Sequence, residues 1–209
     1  MQLIFDGPAS GPLFVFSHGA GAPLNSEFMQ QVTEGLVGKG IRVVRFNYAY
    51  MQQRVDTGSR RPPERAPALI KQFLEVVTSL DQPMVIGGKS MGGRMATLLE
   101  SETSPELVSN VKGIACLGYP FHPQGKPEKL RTEHLPLIEK PVAIIQGTRD
   151  KLGNKEEVEQ YALPSHFQYC WLEDGDHDLK PRIKSGFTHQ QHIQSCINYL
   201  ADYIITCLK

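Results

Sequence analysis

The chain has no net charge, because its 22 basic and 22 acidic side chains balance. That removes the electrostatic attraction a nucleic acid or an anionic membrane would need, so neither is expected as a partner. No apolar run approaches the ~20 residues that cross a bilayer. The opening residues Met1-Gln2-Leu3-Ile4-Phe5-Asp6 lack a basic segment leading into a long apolar one, which predicts no secretory leader. Cys116, Cys170, Cys196 and Cys207 show no C-x-x-C spacing and no clustering with histidines. They read as buried free thiols in a reducing compartment, so the cytoplasm is expected and disulfides are not. His166, His189 and His192 form no ligand constellation, so neither a metal nor another cofactor is expected. Internal repeats and low-complexity tracts are also absent, and there is little room for a separate lid domain. A single domain over residues 1–209 is expected at this length.

What is present is an alternation of strand-like and helix-like patterns. Apolar runs read as strands over residues 3–5, 13–17, 42–46, 84–88, 111–117, 142–146 and 166–172. The first two are expected to form a hairpin across the Gly- and Pro-rich residues 7–12. Helical periodicity covers residues 25–37, 64–80, 91–102, 155–161 and 188–207. This alternation predicts an α/β fold with a mostly parallel central sheet covered on both faces. Two Pro-rich stretches, residues 60–67 and 120–136, read as loops between core elements.

The run Val85-Ile86-Gly87-Gly88-Lys89-Ser90-Met91-Gly92-Gly93-Arg94 carries the most information. It reads strand, sharp turn, helix, with a serine at the tip and glycines two positions to either side. G-x-S-x-G in that setting is a nucleophile elbow. The spacing G-x-x-x-x-G-K-[ST] of a phosphate loop fails here, because the position that would need the first glycine is Pro83. A serine hydroxyl reacts only when a base takes its proton and an acid orients that base. On this kind of sheet the chain order is Ser, Asp or Glu, His, with the last two after later strands. Asp150 follows the run Ile144-Ile145-Gln146-Gly147, and His177 follows Tyr169-Cys170-Trp171-Leu172. Asp174 and Asp176 are rival acids, though their closeness to His177 suits them better to shaping its turn. Donors for an oxyanion are expected from the backbone N–H of Met91 and of Ala20 in Ser17-His18-Gly19-Ala20-Gly21, with Gly21 next in line. His18 reads as a ring bracing that loop.

These segments, together with Asp176-His177-Asp178-Leu179-Lys180-Pro181, resemble the α/β-hydrolase superfamily. More narrowly they are similar to small lidless hydrolases grouped with dienelactone hydrolases, relatives of a subunit of the nonspecific-lethal histone acetyltransferase complex. The resemblance covers nearly the whole chain. It implies an α/β-hydrolase fold with Ser90, Asp150 and His177 as catalytic residues, and it implies no particular substrate. Dienelactone hydrolase itself uses a cysteine nucleophile; Ser90 here points to serine-esterase chemistry on a small acyl compound. Two other functions stay open: a non-catalytic interaction module, and an acyltransferase using the same three residues. His122 and His134 in the second Pro-rich stretch, and the basic cluster Arg60, Arg61 and Arg65 in the first, are the candidate substrate contacts. Among them His122 and Arg61 are the leading pair. Oligomeric state is not readable from the sequence.

Overall fold

A computed structural model describes residues 1–209. Seven strands form one sheet: β1 (Leu3–Asp6), β2 (Leu13–Ser17), β3 (Arg42–Phe46), β4 (Met84–Lys89), β5 (Val111–Leu117), β6 (Val142–Gly147) and β7 (Phe167–Leu172). They lie in the order β1-β3-β2-β4-β5-β6-β7. Only β1 runs antiparallel to its neighbour. Six helices complete the fold: α1 (Glu27–Val37), α2 (Ala49–Thr57), α3 (Ala66–Thr78), α4 (Met91–Glu102), α5 (Lys155–Val158) and α6 (His189–Cys207).

Both faces of the sheet are covered, which is why inner strands such as β2 and β6 are buried at every position rather than at every second one. In β2, Leu13 and Val15 pack with α3 and α4 residues such as Phe73 and Leu99. The alternate residues Phe14 and Phe16 pack with Leu36 of α1 and Ile197 of α6. The same division runs through β6, where Val142 and Ile144 face one layer and Ala143 and Ile145 the other.

Two features differ from the sequence reading. The opening strands do not form a hairpin: β1 pairs with β3, which lies between β1 and β2. The linker instead crosses the start of β3. There Arg42 N–H donates to Pro12 O at 2.9 Å, and a Cβ on Gly11 would overlap the carbonyl of Gly40. The second feature is α2, which the sequence analysis did not find. Its segment Ala-Tyr-Met-Gln-Gln-Arg-Val-Asp-Thr buries only Tyr50 and Met51, too little for a repeating apolar stripe.

The chain leaves β2 for β3 on one side, then crosses back to β4 on the other. The carboxyl ends of β2 and β4 therefore flank the point where the winding reverses, where open α/β sheets form their crevices. No separate lid domain covers that edge.

Candidate active site

Ser90 sits between β4 and α4 with φ 52° and ψ −113°. Such a backbone costs a non-glycine residue about 1–3 kcal/mol and persists only where its surroundings enforce it. Here Ser90 N–H donates to Leu117 O at 2.9 Å and Ser90 O accepts from Arg94 N–H at 3.1 Å. The turn is also tight enough that a Cβ on Gly92 would meet the His18 carbonyl oxygen at 2.8 Å. The other two non-glycine residues with positive φ, Asp174 and Leu179, bracket His177. Local strain thus gathers at the two turns that face each other.

The structure brings Ser90, His177 and Asp150 together. Ser90 Oγ lies 2.8 Å from His177 Nε2, and His177 Nδ1 lies 2.8 Å from Asp150 Oδ2. A carboxylate accepts, so Nδ1 carries the proton and Nε2 is left to accept from the serine hydroxyl. Asp150 is fully buried. It accepts further bonds from Leu152 N–H at 2.8 Å and from Gln146 Nε2 at 2.9 Å. Gln146, at the end of β6, also bonds both backbone groups of Tyr119. It anchors the acid to the neighbouring strand end, and no sequence motif marked it.

The rival acids are engaged elsewhere. Asp174 pairs with Arg182, which holds its carboxyl down to about 2. Asp176 Oδ1 accepts from the N–H groups of Asp178 and Lys180 and so shapes its own turn. Lys89, one residue before Ser90, reaches across to that turn. Its Nζ donates to His177 O at 2.6 Å and pairs with Asp178 at 3.2 Å. Burial pushes the Lys89 ammonium below its usual range, against the pull of Asp178.

The loop after β2 approaches the elbow through Gly19, whose Cβ would lie 3.7 Å from Ser90 Cβ. His18 braces it: Nδ1–H donates to Gly19 O at 2.7 Å and Nε2 accepts from Tyr48 N–H at 3.1 Å. Burial pushes the His18 imidazole down to about 4, so it stays neutral. Helix α2 turns the loop carbonyls aside. Tyr50 OH donates to Ala20 O at 3.1 Å and Arg54 donates to Gly21 O at 2.9 Å. The Ala20 N–H has no acceptor within the protein. Met91 opens α4, where the first N–H groups lack helical partners. Both residues line one cleft with Ser90, about 450 Å³ in volume, walled by the two Pro-rich segments.

His122 and Arg61 are not among the residues lining this cleft. His122 is buried, its ring bonded to Pro123 O and lying 3.3 Å from Glu157. Arg61 is exposed. The basic residues that do line the cleft are Arg94 and Arg131. No three histidine, cysteine or acidic side chains lie close enough together to share a metal ion.

Residues 10–205 match the family described as alpha/beta hydrolase domain. The chain belongs to this family. Among solved structures, a dienelactone hydrolase from Anabaena variabilis shares the fold with a TM-score of 0.72 at 17% identity, covering 100% of this chain and 94% of that one. An alpha-beta serine hydrolase homologue from Coxiella burnetii gives 0.64 at 15%, covering 99% and 91%. Est1E from Butyrivibrio proteoclasticus gives 0.67 at 15%, covering 98% and 93%. Hydrolases of the esterase, lipase and thioesterase types thus share this architecture.

Proposed function

We propose that the protein is a serine hydrolase that cleaves a small carboxylic ester through an acyl-enzyme. The unbroken hydrogen-bonded chain from Ser90 Oγ through His177 to buried Asp150 carries this reading. His177 Nε2 takes the hydroxyl proton as Ser90 Oγ bonds to the ester carbonyl carbon. The N–H groups of Ala20 and Met91 hold the oxyanion of the tetrahedral intermediate. As the ester C–O bond breaks, the imidazolium returns the proton to the departing alkoxide. Water then enters, His177 removes its proton, and the acid leaves as Ser90 recovers its hydrogen. Asp150 keeps the imidazole in the required tautomer throughout and stabilises the imidazolium.

An inert interaction module has no physical need for a strained serine, an oriented base and a buried acid in contact. Acyl transfer to another acceptor would use the same three groups, and added alcohols or thiols would reveal it as new products. All four cysteines are unpaired, which supports a reducing compartment such as the cytoplasm. The test is hydrolysis of short-chain aryl esters by the wild type and Ser90→Ala, with labelling by a fluorophosphonate probe. The wild type is expected to turn over and label; S90A is expected to lose labelling and at least 10³-fold of its rate, on the order reported by triad deletions. Equal rates in both proteins would overturn the reading.

A further inference from the structure

Resting on the serine-hydrolase reading of Ser90, we propose that Arg94 and Arg131 form a carboxylate-binding subsite in the same cleft, so that the preferred ester carries one negative charge remote from its scissile bond. Arg94 lies one turn along α4 from Ser90, and Arg131 projects from the second Pro-rich segment; both line the cleft. The backbone of Arg131 is anchored, with its N–H donating to Phe121 O at 2.7 Å and its carbonyl accepting from Tyr119 OH at 2.9 Å. Its side chain has no such tie. The ion-paired arginines of the molecule are Arg45, Arg149 and Arg182. Arg94 and Arg131 belong to none of these pairs, and the Arg94 Nε is buried without a hydrogen-bond partner.

Guanidinium groups withdrawn from water without an acceptor are costly to hold, and two together repel. Burial and the charge of Arg94 both push Arg131 down from its usual range. His134 adds no third charge. Burial and Arg94 hold it down to about 4, and it bonds Thr97 at 2.9 Å. The only acidic lining residue is Glu64. Its Oε2 is also buried and unpartnered, and it forms no ion pair with either arginine. Two positive charges and one negative leave the cleft with one unit of positive charge. A monoanion neutralises that, whereas a phosphate dianion would leave an excess of negative charge. Two planar donor forks also match the geometry of a carboxylate.

The experiment compares 4-nitrophenyl hydrogen glutarate with its methyl ester and, separately, measures by calorimetry the binding of glutarate as its monoamide, a monoanion with no ester for the enzyme to cleave. The wild type is expected to favour the free acid in kcat/KM. R131Q and R94Q are each expected to lower the acid-to-methyl-ester ratio about tenfold, the scale of one charge-assisted hydrogen bond, and to weaken the monoamide to the same degree. At pH 8, where inorganic phosphate is mainly the dianion, the glutarate monoamide is expected to bind more tightly than phosphate. Because the Arg131 side chain makes no contact the fold depends on, R131Q keeps the test valid should R94Q fold poorly. A wild-type ratio at or below one, an unchanged ratio in R131Q, or tighter binding of phosphate would overturn the subsite. Hydrolysis of both esters without monoamide binding would remove the subsite and leave the hydrolase reading standing. Arginine-dependent monoamide binding with no turnover of either ester would do the reverse.

Discussion

At the residue scale, Ser90, the nucleophile of the proposed hydrolysis, is held from two directions. Its own backbone is clamped between β5 and α4, and its base is held by groups that never touch a substrate. Lys89 is the clearest of these. It leaves the strand one residue before Ser90 and bonds the carbonyl of His177 itself, so a single side chain ties the nucleophile's strand to the base's turn. An ammonium in so buried a place needs acceptors, and His177 O and Asp178 supply them. Lys89→Met is expected to lower kcat on the order of tenfold with little change in KM, since a small displacement of the imidazole weakens proton transfer without altering the cleft. Lys89→Arg, which keeps a donor, is expected to recover part of the loss. A change confined to KM would assign Lys89 to substrate binding instead. In the sequence Lys89 was visible only as a charge inside the elbow, and Gln146 as one more strand residue. The meeting of Ser90, Asp150 and His177 at one edge of the sheet was legible because chain order and strand ends constrain it. Their supporting side chains reach across the sheet edge, and such contacts leave no spacing in the chain.

At the element scale, the least legible helix bears directly on the site. Helix α2 shows weak amphipathicity because most of it faces solvent, yet Tyr50 and Arg54 pull aside the carbonyls of the loop that carries Ala20. Long helices such as α4 and α6 were readable to within a residue, because each buries a continuous face against the sheet. The opening hairpin was misread because adjacency in sequence favours pairing, whereas β3 wedges between the two strands. The β2 loop also has a pH signature through His18. In the unfolded chain this group titrates near the ordinary 6.5, but in the folded protein only near about 4. Between those values the unfolded chain binds the extra proton, so stability falls as the pH falls through that window. The gap is worth roughly 3 kcal/mol when fully expressed. Denaturant unfolding measured from pH 7 to pH 4 is expected to show that loss, and His18→Gln to show a shallower slope over the same window. Identical slopes would mean that the ring is not held neutral.

At the scale of the whole molecule, charge is arranged rather than accumulated. The 22 positive and 22 negative side chains cancel, so net charge supplies no long-range attraction for a charged substrate. What positive charge lines the cleft comes from two partly buried groups, Arg94 and Arg131. Fold class and the position of the cleft followed from strand–helix alternation and the elbow. The charge lining the cleft did not, because Arg61 in the first Pro-rich segment was as good a candidate by sequence as Arg131 in the second. Only the folded loops separate the exposed arginine from the one that faces Ser90. The two kinds of electrostatics differ in their response to salt. Screening at about 0.15 M acts beyond ~8 Å and is weaker for buried pairs. Raising the ionic strength from about 0.05 to 0.5 M is therefore expected to leave kcat/KM for a neutral aryl ester within roughly twofold. For the carboxylate-bearing ester the decline is expected to be shallow and to vanish in Arg131→Gln, because a local pair is weakened rather than a steering field abolished. A steep fall that persists in R131Q would instead locate the attraction on the outer surface, with the exposed arginines of the first Pro-rich segment as its source.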